Sequence, residues 1–526
     1  DGDGFGDAGA TSLACEAPIG ALADDDDCDD TDPAVSPAGV EVCNTTDDDC
    51  DGAVDEDAAD AATWYADADG DGFGDAGATS LACEAPVGTR ADAGDCDDTA
   101  ASVHIGAAET CGDGVDQDCD GSDERCGLAV VAFGDADIRI DGGFGRGGSA
   151  WTNGQVGQAL ATGDTNGDGV ADVLIGAPYP DGEARLAIGP VTSGNFSSAT
   201  LLNRGSWYER VGAALATGDL DGDGMDESVV GAPGDYYYYP ADAYVYSGGV
   251  TPSLEHSIAV AGESFATGDT NADGLDDLLL YNDKQWYLFQ APLPARATTS
   301  DAATHLADGE VTWGYGGRSG AMGDLDADGF DDLVMAVTGG AAVVFGPPPS
   351  GSLVVADADT FLSEDAAALA VGDGDGDGDD DLFLADGTSP SGRLAVYLFL
   401  DVGPGTLTRR DAAGALVGDT SAPAPSLATA DFDQDGIDDI LVGDYRSGWE
   451  PGSTRLWYGA LSGTVGYTDA AFLFEGGSVG DYAGWAVAAG DVTGDGFPDA
   501  IVGAMGATVD GAALSGVVYG VSLQGR

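Results

Sequence analysis

From Leu128 onward, short apolar runs alternate with turns rich in Gly, Pro and Asp, and the stretch between Gln158 and Thr217 shows one full period. A first strand is predicted through Ala159-Leu-Ala-Thr162, and an Asp-rich loop leads to a second at Asp172-Val-Leu-Ile175. Gly176-Ala-Pro178 ends that run, a third strand lies near Ala184 to Ile188, and an outer one near Ala199 to Asn203. Short strands at regular spacing with turn signals between them predict an all-β chain. The loop recurs seven times, starting at Asp164, Asp219, Asp269, Asp324, Asp373, Asp431 and Asp491, so successive starts lie 55, 50, 55, 49, 58 and 60 residues apart. Such a period marks a repeat architecture. Four strands per period, seven times over, predict a seven-bladed β-propeller across residues 128–526.

Each loop sets oxygen-bearing side chains at positions 1, 3, 5 and 9 and offers the backbone carbonyl of position 7. The first reads Asp164, Asn166, Asp168, Val170, Asp172; the second Asp219, Asp221, Asp223, Met225, Glu227; the third Asp269, Asn271, Asp273, Leu275, Asp277. The fourth reads Asp324, Asp326, Asp328, Phe330, Asp332; the fifth Asp373, Asp375, Asp377, Asp379, Asp381; the sixth Asp431, Asp433, Asp435, Ile437, Asp439. The seventh, Asp491, Thr493, Asp495, Phe497, Asp499, exchanges one carboxylate for a hydroxyl and carries Pro498 at its exit, so it is expected to bind most weakly. Converging carboxylates repel, and a hard divalent cation taking six to eight oxygens relieves that repulsion, which makes Ca2+ the expected guest. Gly at position 6 permits the sharp turn. An EF-hand would need Glu at position 12, where the first loop has Ile175 inside a strand, so the site is strand-loop-strand. A solvated acidic turn competes for one copy, and poorly for seven in register.

Residues 1–127 are different. All nine cysteines (15, 28, 43, 50, 83, 96, 111, 119 and 126) fall there, in two copies of one unit offset by 68, with Cys15, Cys28 and Cys43 matching Cys83, Cys96 and Cys111. We divide the region at 1–68 and 69–127. Few apolar residues are available for a core, so disulfides and metal ions must replace it, in an oxidising compartment. A disordered acidic tail is the alternative, against which the fixed cysteine register argues. Pairing is expected within each unit, with Cys126 left over. The 1, 3, 5, 9 pattern returns at Asp47, Asp49, Asp51, Asp55 and at Asp116, Asp118, Asp120, Glu124, and a related loop comprises Asp67, Asp69, Asp71 and Asp75. Zinc is disfavoured, because carboxylates dominate and CxxC pairs are absent. Residue 1 begins partway through a repeat, so the native protein is expected to start earlier.

Net charge narrows the partners. With 95 acidic against 16 basic residues the chain carries -79, which excludes nucleic acid and disfavours an anionic membrane surface. Seven occupied loops would return about 14 positive charges. No stretch is apolar enough to span a bilayer. The three histidines, His104, His256 and His305, are scattered, and no Gly-x-Ser-x-Gly, phosphate-loop or HExxH motif occurs, so no catalytic residue is expected.

These repeats resemble the FG-GAP repeats of integrin α-subunit propellers: the loop lies between the first two strands, followed by Gly-Ala-Pro at 176–178 and 231–233 and by Gly503-Ala504-Met505. The Phe-Gly element is weak, as Val156-Gly157 and Val211-Gly212, and Gly-Ala-Pro is lost in repeats three to six. Residues 1–127 resemble the Cys- and Asp-rich metal-binding repeats of secreted bacterial surface proteins, and Asp67 to Asp75 is similar to a thrombospondin type 3 calcium repeat. The resemblance implies a secreted or cell-surface, calcium-binding structural or adhesion protein, bacterial in origin, with an extracellular protein or glycan as partner or self-assembly into a filament. A carbohydrate-binding lectin and a polysaccharide lyase or hydrolase are the alternatives. Aromatic residues at Tyr236 to Tyr239, Trp207-Tyr208, Trp313, Tyr315 and Tyr482 mark an expected binding face.

Ring closure follows from counting. After the seventh loop only two further strands remain, at Ala500 to Gly503 and Gly516 to Leu523. Asp137-Ile-Arg-Ile140 is therefore expected to supply the missing outer strand. Leu128 to Phe133 is left over, to pair beside that strand, to brace the stalk or to be donated to a neighbouring molecule.

Overall fold

The computed structural model describes residues 5–6, 12–16, 26–29, 31–105, 107, 119, 129–142, 154–179, 182–205, 209–234, 242–282, 284–307, 319–364, 366–386, 394–418, 426–445, 451–459, 461–509 and 514–524. It is all-β, with no α-helix among these residues, and divides into two compact units, Asp1–Cys126 and Gly127–Arg526.

Among the described residues the second unit contains seven sheets, each with four antiparallel strands in spatial order. The first sheet runs Ala159–Gly163, Asp172–Ala177, Glu183–Ala187 and Thr200–Arg204. In every sheet the second strand is buried along its whole length apart from one terminal residue, because it is covered on both faces by neighbouring sheets. Seven apolar clusters form, one between each pair of consecutive sheets, and the cluster of Ile138, Ile140, Val173, Ile175, Ile501 and Val518 joins the seventh back to the first. Hydrogen bonds follow part of the same circuit along the inner strands: Thr217 Oγ1 donates to Thr162 O, Thr267 Oγ1 to Thr217 O, and Thr162 Oγ1 to Ala489 O. This is the closed ring of a β-propeller, whose sheet edges are short.

The seventh sheet comprises Ala483–Gly490, Asp499–Ala504 and Val517–Val521, and its outer strand is Ile138–Asp141, antiparallel to Val517–Val521 with Val518 opposite Ile140. The chain's early segment thus completes the last sheet, as strand counting predicts. The leftover segment, for which several places were open, does not pair with Ile138–Asp141. Ala129–Ala132 runs parallel to Phe472–Glu475, the outer strand of the sixth sheet. The reason lies in the other repeats: short strands such as Gly351–Val354, Gly405–Leu407 and Gly463–Gly466, each preceding an outer strand, pair in parallel with the outer strand of the sheet before. Ala129–Ala132 precedes the seventh sheet's outer strand and takes the same place. Phe133–Asp135 then makes the short 3-10 turn that Val355–Asp357 and Tyr467–Asp469 make in their repeats.

In the first unit a small sheet orders Thr89–Arg90, Ala62–Ala66, Gly74–Ala82 and Ala93–Asp95. Its buried apolar residues are few, among them Val35, Ala58 and Val103. Disulfides join Cys28 to Cys50, Cys43 to Cys83 and Cys96 to Cys119. The middle bond corrects the expectation of pairing within each unit. Strand pairing sets Ala62 opposite Ala82, which brings Cys83 to the segment before Ala62, and Asp60 Oδ1 accepts the Cys43 amide there at 2.7 Å. The division at 68/69 falls in the loop between Ala62–Ala66 and Gly74–Ala82. Cys111 and Cys126 lie outside the described residues, and Cys15 is a free thiol.

Candidate metal centre

The seven loops share one internal frame. In each, Oδ2 of position 1 accepts the amide of position 6 at 2.8 to 3.0 Å, as Asp164 does from Gly169 and Asp219 from Gly224. Oδ1 of position 5 accepts the amide of position 7, as Asp168 does from Val170 and Asp495 from Phe497. These bonds curl the loop so that its carboxylates converge. Position 4 has a positive φ throughout, including the non-glycine residues Ala272, Ala327 and Gln434. In the second loop a ligand oxygen from each of Asp219, Asp221 and Glu227 lies within 4.8 Å of the others.

Position 9 sits at the foot of the loop, buried, at the start of the second strand. Asp439 takes the Phe432 amide at 2.8 Å and the Gly459 amide at 2.6 Å; Asp332 takes those of Leu325 and Gly346, and Glu227 those of Leu220 and Gly248. Asp172 accepts the amides of Thr165 and Gly189 and also the Thr165 hydroxyl. One side chain therefore ties the loop's entry to the end of the third strand. Burial, reinforced by the neighbouring loop carboxylates, pushes the Asp439 carboxyl up to about 9 and those of Glu227, Asp332 and Asp381 to about 7. Burial also raises Asp499 and Asp433 to about 6, and raises Asp172, Asp277 and Asp326. Such upward shifts mark carboxylates whose charged form burial disfavours.

One set of residues was not anticipated. Position 8 is Asp226, Asp276, Asp331, Asp380 and Asp438 in loops two to six. The amide of each donates to the position-1 carbonyl of the preceding loop, as Asp226 does to Asp164 and Asp438 to Asp373. The carboxylates of Asp276, Asp331 and Asp380 in turn accept the amides of Asp219, Asp269 and Asp324. Position 8 thus clamps each loop to its neighbour. Burial and the adjacent clamp carboxylate raise Asp226 and Asp438 to about 6.

In the first unit the structure brings Asp67, Asp69 and Asp71 together, as the sequence pattern expects. Around the loop at 47–55 the groups are Glu41 with Asp47 and Asp49, and Asp49 with Asp51 and Glu56. Glu41 and Glu56 lie outside the loop pattern and were missed. Buried Glu41 takes the amides of Asp48, Asp49 and Asp55. Asp55 Oδ1 is engaged by the amides of Asn44 and Thr45, and Asp75 Oδ1 by that of Gly77. Asp116, Asp118, Asp120 and Glu124 fall outside the described residues.

Of the aromatic residues expected on a binding face, Trp207, Tyr208, Tyr236 to Tyr239, Trp313 and Tyr315 lie outside the described residues. Tyr482 packs edge-on against Trp485, with ring centroids 6.5 Å apart, and Trp485 lies 4.2 Å from Tyr445 of the sixth repeat. His104 stacks on Phe73, and His305 lies beside Tyr287.

Family models match segments of both units. A metal-binding motif matches residues 27–56 and 95–124; an FG-GAP-like repeat matches 373–442, and the FG-GAP repeat matches 156–195 and 483–520. The chain thus carries matches to FG-GAP repeats within its β-propeller, preceded by two matches to the metal-binding motif. Integrin alpha-PS2 of Drosophila melanogaster is 35% identical over 79 residues, which is 15% of this chain and only 5% of that protein. Two crystal structures of BBS1N in complex with ARL6DN, soaked with lead and with mercury, align at TM-scores of 0.41 and 0.40. Identity is 9% and 10%, over 74% of this chain and 99% and 98% of theirs. No helix among the described residues is long and apolar enough to cross a membrane.

Proposed function

We propose that this is an extracellular, calcium-binding structural or adhesion protein in which the seven loops hold Ca2+ through positions 1, 3, 5, 7 and 9. The observation that carries the reading is the shared loop frame, with all-oxygen donors converging above a buried carboxylate that is held by amides and opposed by no basic side chain in the contacts described. Hard donors of this kind suit calcium. Binding would fix the loops that clamp one sheet to the next, so calcium would act on the rigidity of the whole ring. The partner is an extracellular protein or glycan, and the chain is not an enzyme; scattered histidines with structural contacts support that part.

Thermal melting in calcium and in chelator tests the proposal. A ligand at a hundredfold its dissociation constant adds about 2.7 kcal/mol per site. The expected result is a melting midpoint raised by calcium and lowered by chelator. An unchanged midpoint overturns the reading.

A further inference from the structure

We infer that the first unit holds a further calcium site, built jointly by the loop at 67–73 and the separate segment 95–98, with Asp69, Asp71, Asp95 and Asp98 as its carboxylates. It is independent of the propeller loops. Ligand oxygens of Asp69, Asp95 and Asp98 lie within 4.8 Å of one another, and Asp69 also belongs to the group of Asp67 and Asp71.

The decisive side chain is Asp95. It is only 6% exposed, its Oδ1 accepts the Asp97 amide at 2.8 Å, and its Oδ2 is buried without a partner. The other carboxylates divide their oxygens similarly. Asp69 Oδ1 takes the Asp71 amide and Asp71 Oδ1 the Phe73 amide, while Oδ2 of each is buried and unpartnered. Asp98 Oδ1 accepts the Ala68 amide at 2.7 Å, which fastens the second segment to the loop. The neighbouring cation, Arg90, is engaged with Asp67 at 2.7 Å. A buried carboxylate oxygen with neither donor nor cation is unfavourable, and three in one cluster call for a cation.

Local structure explains how two distant segments meet. Gly74–Ala82 pairs in parallel with Ala93–Asp95, which puts Asp95 opposite Asp75 at the end of the loop, and the Cys96–Cys119 disulfide begins at the next residue. The first repeat shows the same device. Asp27, 68 residues earlier, is 2% exposed, accepts the Asp29 amide at Oδ1 and leaves Oδ2 buried and unpartnered beside the Cys28–Cys50 bond. The orphaned oxygen is thus a recurrent feature of the repeat. Four carboxylates and no nitrogen or sulfur ligand select a hard cation, calcium, over copper or zinc.

Hydrogen exchange of the full, oxidised chain during calcium titration is the test. Calcium should slow exchange in 67–75 and in 93–98 over one shared concentration range. Asp95→Asn and, on the partly exposed loop, Asp69→Asn should each move that range upward at least about tenfold, since even outer-shell changes weaken metal sites 10- to 100-fold. The protection of the propeller loops should not change. Protection of 67–75 alone, or an unshifted titration in both variants, overturns the inference, as does copper(II) protecting both segments at lower concentration than calcium. Protection here with none in the propeller loops would sustain this site and overturn the proposed function; the converse would do the opposite.

Discussion

At the residue scale, five glycines are dictated by carboxylates from the following repeat. A Cβ on Gly163, Gly218, Gly268, Gly323 or Gly372 would fall 2.2 to 2.7 Å from the Oδ2 of Asp226, Asp276, Asp331, Asp380 or Asp438 respectively. The sixth repeat has Ala430 at this place, and there the following repeat offers Pro498, which has no carboxylate to collide. The rule predicts that Gly372→Ala destabilises the propeller by about 1–3 kcal/mol, the usual range for overpacking. Combining it with Asp438→Ala should cost less than the sum of the two single changes, which denaturant unfolding of the cycle would reveal. Simple additivity would mean that the two residues do not meet. Loop positions 1, 3, 5 and 9 could be read from sequence because their spacing is local. The glycine and its aspartate could not, because their contact joins different repeats.

At the scale of the loop and its strands, position 9 makes the metal-free protein sensitive to pH. Burial raises these carboxyls above their unfolded values, to about 9 for Asp439 and about 7 for Glu227, Asp332 and Asp381. The folded state then binds protons more tightly than the unfolded state between the ordinary carboxylate range and those values. Stability in chelator should therefore fall as pH rises from about 5 to 9. Calcium needs the ionised groups, so its uptake at pH 6 should release protons, and saturation should flatten or reverse the trend. Melting curves against pH with and without calcium check both signs. The seventh loop refines the point. The Thr493 amide and hydroxyl both bond to Asp499, so position 3 adds no charge. Thr493→Asp should raise calcium affinity there while lowering the midpoint in chelator; equal shifts of one sign in both conditions would refute a ligand role for position 3. The strands themselves were legible because each couples an apolar run to this loop. The fifth, short strands were not: Gly405–Leu407 and Gly463–Gly466 have few side chains to mark them, and they exist only through pairing with the preceding sheet.

For the whole molecule, closure depends on Ile138–Asp141, while Ala129–Ala132 adds a strand to the sixth sheet. Strand counting finds Ile138–Asp141 because the seventh repeat is visibly one strand short. It leaves Ala129–Ala132 unplaced, because that segment's position is set by a relation between sheets that no single repeat displays. The two segments act on different sheets. Ile138 and Ile140 fill the cluster between the seventh and first sheets, whereas Val131 and Phe133 enter the one between the sixth and seventh, with Phe133 stacked on Tyr519 at 4.3 Å. Burying each such side chain is worth about 1.5–3 kcal/mol, so losing all four approaches the whole margin of a typical domain. Removing residues 1–127 should leave a folded, monomeric propeller. Removing 1–136 should lower its melting midpoint, through loss of the strand on the sixth sheet, yet keep the ring closed. Removing 1–141 also strips the seventh sheet's outer strand and bares Val517–Val521 as an unpaired edge, which should produce association and aggregation. Light scattering and thermal melting of the three truncations order them. If the longest truncation were as stable and monomeric as the shortest, the ring would close without its early strand, and the account of closure would be wrong.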